Sequence, residues 1–251
     1  MKLTAIILNH LPRKIIEPTL KSISFADKII IIHDSNSPYD SPKSTKSVEV
    51  ITKPLSSFAT QRNFAIGKAK TDWVLFVDSD EIISSSLRLE IKKTIKRDDY
   101  QGYYLPRQDI ILGQTLKYGE TGSIKLLRLA KKSAGKFSRS VHETWNIKGR
   151  VGELTSPILH LKKEFTNPFL GKISQYGLLD SKELVSENKP FSFFRFLFFP
   201  IGKFINNYIM RRGLLDGLLG LFHAYMMSVQ SLSVRVFQWQ ASHLPSKPAK
   251  L

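Results

Sequence analysis

Three observations predict an α/β fold for this chain of 251 residues: a mainly parallel sheet with helices on both faces. Short apolar runs recur through the first hundred residues at Leu3–Leu8, Lys28–His33, Val48–Thr52 and Trp73–Val77. Such runs read as strands buried on both faces, as in parallel sheets. Helical periodicity falls between and after them, which gives a β-α-β-β-α-β-α order with right-handed crossovers. Finally, the fourth run ends abruptly in acid, as Val74-Leu75-Phe76-Val77-Asp78-Ser79-Asp80-Glu81. Open α/β sheets place their ligands at the carboxyl ends of their strands.

The helices are read from their caps and periods. Ile15–Ser24 is the first. Ser57 caps a second from Phe58 to about Lys68. Ser84 caps a third, in which Leu87, Ile91 and Ile95 recur at i, i+4 and i+8. From Gln101 to His160 the pattern changes to short runs punctuated by Gly113, Gly119, Gly122, Gly135, Gly149 and Gly152. This region is expected to form hairpins and loops laid over the ligand-bearing edge of the sheet. From Pro168 onward the chain reads as helical. Two domains are expected, a catalytic domain over 1–165 and a helical membrane-association or acceptor region over 166–251.

Composition narrows the function. With no cysteine, disulfides and thiolate metal sites are excluded. The opening run is too short for a signal-peptide core, so a cytoplasmic protein is expected. The formal net charge of +17 calls for anionic company: nucleic acid, an anionic membrane face or phosphorylated substrates. Between Asp216 and Arg235 no formally charged residue occurs. This stretch nearly matches a bilayer in length. His223, Ser228, Gln230, Ser231 and Ser233 dilute it, while Leu214, Leu218, Leu221, Phe222, Tyr225 and Val229 share one helical stripe. An amphipathic helix at a membrane interface is the preferred reading, ahead of a core helix and a spanning helix.

Clustered carboxylates repel, so Asp78 and Asp80 need a positive partner, and a hard divalent cation is the simplest. A helix-capping role is the competing reading. A second acidic strand end, His33-Asp34-Ser35-Asn36, suits a base N–H or a ribose hydroxyl, and it is also good Asx-turn chemistry.

In order and spacing, Leu3–Asn9, Ala26–Ser35, Gln61-Arg62-Asn63-Phe64-Ala65 and Asp72–Glu81 resemble the family 2 glycosyltransferases of the GT-A (Rossmann-like) fold. Gly102–Arg107, Leu112-Gly113, Leu127-Arg128-Leu129, Val141-His142-Glu143 and Gly213-Leu214-Leu215-Asp216-Gly217 are similar to the lipopolysaccharide core-biosynthesis branch. The resemblance runs from about Leu3 to Tyr225. It implies inverting sugar transfer from a nucleotide-sugar donor to a lipid-linked glycan acceptor, at the anionic inner-membrane surface and without nucleic acid. A divalent metal, Mg or Mn, would sit on Asp80 and Asp78 and bind the donor diphosphate. Asp34 would read the base, with Gln61, Arg62, Asp78 and Arg128 around the nucleotide and its phosphates. Glu143 would be the base, oriented by His142, with Glu120 and Glu153 as runners-up. The chain departs from the family pattern after Asn9, at Asn36 and at Gly119–Ser123. An Asp-x-Asp phosphoryl-transfer enzyme and a basic nucleic-acid-binding protein are the competing functions.

Overall fold

The computed structural model describes residues 1–40, 42–54, 56–97, 99–138, 143–162 and 166–243, without the side chains of 166–168, 172 and 174–176. The chain divides into two compact units. Residues 1–108 and 124–161 form the first, and 109–123 and 162–251 form the second.

The first unit is built on a sheet whose elements follow one another as β1 (Leu3–Asn9), α1 (Arg13–Ser22), β2 (Lys28–His33), β3 (Val48–Thr52), α2 (Phe58–Lys68), β4 (Trp73–Phe76), β5 (Glu81–Ile83), α3 (Ser85–Thr94) and β6 (Gly102–Ile111). They continue, past β7 (Gln114–Thr115) of the second unit, as β8 (Lys125–Lys131), β9 (Gly135–Ser138), β10 (Thr144–Ile147), β11 (Val151–Glu153) and β12 (Ile158–Lys162). The sheet order is β3-β2-β1-β4-β8-β6-β12-β5. The strands β3, β2, β1 and β4 run parallel. Beyond β4 the sheet turns antiparallel, through β8 and then β6.

Side-chain alternation explains the two-faced burial. Leu3, Ala5, Ile7, Ile29, Ile31, Trp73 and Leu75 face a core closed by Ile16 of α1 and Leu87 and Ile91 of α3. Their neighbours Ile6, Ile30, Ile32, Val74 and Phe76 face Ala65 and Ile66 of α2, together with Phe137 and Trp145 of the β9–β10 hairpin. Period-two alternation divides β1, β2 and β4 between these two cores. Ser57 accepts from the backbone N–H of Thr60, and Ser84 from that of Leu87, so both expected caps form.

The region after Gln101 departs from the expectation of overlying hairpins. Lys131 pairs with Trp73 and Leu129 with Leu75, so β8 joins the main sheet beside β4. Among the described residues, β9 and β10 alone form a separate two-stranded ribbon. An apolar strand next to β4 completes the sheet's hydrogen bonding, which a loop lying over it would leave unsatisfied.

In the second unit, α4 (Thr166–Ser186), α5 (Phe193–Ile205) and α6 (Gly217–His243) pack with the 109–123 segment. The Gly213–Gly217 corner joins them. Asp216, buried, accepts the backbone N–H groups of Lys117 and Tyr118 at 3.1 and 2.9 Å. A Cβ on Gly220 would lie 1.9 Å from the Gly213 carbonyl, so only glycine permits that approach. Among the described residues no helix is long and apolar enough to cross a membrane.

Candidate active site

The carboxyl ends of β1, β2 and β4 open on one edge of the parallel half. Asn9 pairs in register with His33, and its side-chain amide lies 3.1 Å from His33 Nδ1. Asp34, just beyond, donates its backbone N–H to the Asn9 carbonyl, and its Oδ1 accepts from Asn36 N–H at 3.1 Å. The Asx-turn therefore forms, and it holds Asp34 at the strand end.

At the end of β4, Asp78 meets two guanidiniums. Its carboxylate is hydrogen-bonded and ion-paired to Arg128, and it lies 3.6 Å from Arg62. Burial alone would push Asp78 up, but Arg128 and Arg62 outweigh it and hold the carboxyl below its usual range. The same contacts push Arg128 upward against its own burial. Glu81 is almost fully buried beside this pair, 3.6 Å from Arg128, and accepts the backbone N–H of Asp78 at 2.9 Å. Burial raises Glu81, and Arg128 only partly offsets the rise.

Arg62 also reaches Glu143, whose Oε1 lies 3.3 Å from its Nη2. The Gln61-Arg62-Asn63 motif organises this meeting. Asn63 grips the hairpin through both amide atoms, donating to Phe137 O and accepting from Phe137 N, each at 2.8 Å. Arg62 stacks 5.2 Å from the ring centres of both Phe76 and Phe137. Gln61 is buried, and its Nε2 has no hydrogen-bond partner among the described residues. Of the runner-up bases, Glu120 pairs with Lys203 in the second unit, and Glu153 pairs with Lys125 on the exposed side of β11. His142 lies outside the described residues.

Asp80 has a different partner. Its Oδ2 lies 3.1 Å from His160 Nε2, and burial, which would raise it, is overcome by His160, leaving it lowered. His160 reaches this place because β12 pairs antiparallel with β5, setting His160 opposite Glu81. Sequence reasoning missed His160, and nothing local in Leu159-His160-Leu161 marks it. Among the described residues no three His, Asp or Glu side chains gather as a metal cluster. Asp80 nonetheless offers an oxygen donor of the kind a hard cation such as Mg takes, one that keeps waters and substrate phosphates in its shell, while His160 hydrogen-bonds and orients that carboxylate. Asp78, engaged by two arginines, is the poorer donor.

A doubly covered α/β sheet, parallel through β4 and acidic at its strand ends, is the GT-A fold of a glycosyltransferase. Residues 4–152 match the family described as glycosyl transferase family 2, and the chain belongs to that family. The lipopolysaccharide core biosynthesis glycosyltransferase LpsC of Rhizobium meliloti (strain 1021) is 24% identical over 206 residues, covering 80% of this chain and 76% of that protein. An uncharacterized glycosyltransferase of Rickettsia typhi is 25% identical over 212 residues, covering 78% and 72%. Among solved structures, S. aureus TarS 1–349 in complex with UDP superposes with a TM-score of 0.47 at 12% identity, covering 96% and 92%. Family membership removes the phosphoryl-transfer reading of Asp78-Ser79-Asp80.

Proposed function

We propose that the protein transfers a sugar from a nucleotide-sugar donor, with inversion, to a lipid-linked glycan of lipopolysaccharide core assembly. Family membership supports sugar transfer, and the distant relative LpsC supports the lipopolysaccharide setting. The enzyme would work at the cytoplasmic face of an anionic membrane, a placement supported by the net charge of +17 and by the exposed apolar residues of α5 and α6.

The observation that carries the reading is the Arg62 bridge. It joins a hairpin carboxylate, Glu143, to the strand-end carboxylate Asp78. The donor diphosphate would occupy this edge. Asp34 would hold the base or ribose, Gln61 would face the nucleotide, and Arg62 and Arg128 would meet phosphate oxygens with their planar forks. Asp78 then serves chiefly to orient the two arginines. Asp80, oriented by His160, would hold a divalent cation, Mg or Mn, which when bound neutralises charge building on the leaving diphosphate. Glu143 would take the acceptor hydroxyl's proton from the face opposite the leaving group, with His142 orienting it. Phosphates drawing Arg62 toward themselves would loosen its hold on Glu143 and free that carboxylate to act.

Glu143→Gln tests the assignment. Donor binding by calorimetry should stay within twofold, roughly, while transfer falls by about 10²–10⁴. Weakened donor binding with unchanged turnover of bound donor would remove Glu143 from the base role.

A further inference from the structure

In the second unit a groove of about 650 Å³ runs among α4, α5 and α6. Its lining includes Phe199, Lys203 and Arg235 together with Asp180 and Glu183 of α4 and Glu187 just beyond that helix. Lys203 is already paired, with Glu120. Arg235 is not matched in this way. Its guanidinium lies 5.0 Å from the centre of the Phe199 ring, and that of Arg195 lies 6.0 Å from the same ring. Neither arginine meets a carboxylate within ion-pairing distance among the described residues. Arg235 Nη1 donates to Gln238 Oε1 at 2.6 Å, and Gln238 is itself anchored by donating to the Lys189 carbonyl. Arg235 Nε has no hydrogen-bond partner among the described residues. Burial and the nearby Arg195 both lower the proton affinity of Arg235. Two like charges are thus held against one aromatic ring, with no carboxylate in ion-pairing distance among the described residues and with donor capacity to spare.

We propose that Arg195 and Arg235, set against Phe199, form a site for the phosphate of an anionic lipid headgroup. Two guanidinium forks suit phosphate oxygens and relieve their mutual repulsion by binding an anion. The same helix identifies the kind of molecule that carries the phosphate. Phe193, Phe194, Leu197 and Phe198 of α5 are all exposed, and α5 buries no residue. A phosphate seated beside that surface belongs to a molecule with acyl chains. The site rests on the membrane reading above and adds to it two residues and one chemical group.

Flotation of the full chain tests it, with vesicles of phosphatidylcholine alone and of phosphatidylcholine containing phosphatidylglycerol. The wild type should float with the second and weakly with the first. Two surface charges are worth about thirtyfold in partition. R195Q/R235Q should lose more than that and should keep its defect as salt rises, because partly buried charges are screened less. R211Q/R212Q, which removes two exposed arginines of the same unit, should lose no more than about thirtyfold and should lose it in a salt-dependent way. Arg195→Gln alone, at a half-exposed position, covers the case in which the double variant melts early. Equal losses in the two double variants would reduce the site to general surface charge and overturn it. Wild type floating with neither vesicle would sink the membrane reading and this inference together, whereas wild-type flotation matched by R195Q/R235Q would sink the inference alone. Inorganic phosphate that raises the melting temperature of the wild type but not of R195Q/R235Q, with equal flotation of both, would assign the pair to free phosphate and overturn the lipid.

Discussion

The two units use apolar side chains in opposite ways. In the first, Ile6, Ile7, Ile31, Val74, Leu75 and Leu129 are wholly buried, and the charges gather at one edge of the sheet. In the second, α5 fully buries no residue: Phe193, Phe194, Leu197, Phe198, Phe199, Ile201 and Ile205 are exposed along it. The buried positions elsewhere in that unit mix the apolar Leu116, Leu219 and Val234 with the polar Asn207, Asp216 and His223. The contrast shows that hydrophobicity alone does not locate a core. A parallel strand must bury both faces to exist, whereas a helix satisfies its own backbone and is free to turn an apolar stripe outward. An outward stripe of this size supports the membrane placement proposed above.

The largest expected effect falls where the first unit is tightest. Ile31→Ala, in the core between the sheet and α1, should cost about 2–5 kcal/mol in denaturant unfolding. A loss below about 1 kcal/mol would mean that the strand core is looser than its burial indicates. In the second unit the comparable loss should come from a polar residue. Asp216→Ala frees the N–H groups of Lys117 and Tyr118, each within 3.1 Å of the carboxylate, and should cost about 2–3 kcal/mol. If Asp216→Ala is tolerated while an apolar residue of α5 is not, the contrast between the units reverses.

How much of this was legible in the sequence follows the same division. The parallel half was readable because each strand is a local apolar run, and the Ser57 and Ser84 caps lie beside the helices they start. The place of β8 was not readable. Lys125–Lys131 alternates like any hairpin strand, and only its long-range pairing with β4 makes it central. In the site, Asp78, Asp80 and Arg62 stood out through local motifs. Pairing of Arg128 with Asp78 spans fifty positions, and His160 reaches Asp80 across eighty, so neither partnership leaves a local trace. The exposed stripe of Leu214, Leu218, Phe222, Tyr225 and Val229 was visible as periodicity, but periodicity does not say which way a stripe faces.

A smaller effect tests how the first unit holds a carboxylate away from its site. Glu90 accepts the backbone N–H groups of Thr155 and Ser156, each at 2.8 Å. Its burial would raise it, but these bonds lower it below the ordinary range. A depressed carboxyl stabilises the fold above its unfolded pKa and loses that contribution as pH falls through its folded one. Glu90→Gln should therefore cost about 1 kcal/mol near neutral pH, since the carboxylate is partly solvated, and the gap to wild type should close on acidification. A gap that stays constant with pH would mean that the carboxylate's charge contributes nothing there.

The smallest expected effect on stability bears most directly on the contrast between the units. Phe194 is 64% exposed on α5, so Phe194→Ser removes a side chain that packs on little of its own chain. Its ring lies 4.5 Å from that of Phe198, a contact within one helix face. Unfolding free energy should change by no more than about 0.5 kcal/mol, as for a surface substitution. Partition into phosphatidylglycerol vesicles should nevertheless fall, because burying an aromatic ring in the headgroup region contributes about 1.5–3 kcal/mol of transfer free energy. A large loss of stability instead would mean that α5 covers a core of its own, and the outward apolar stripe would then be packing rather than a docking surface.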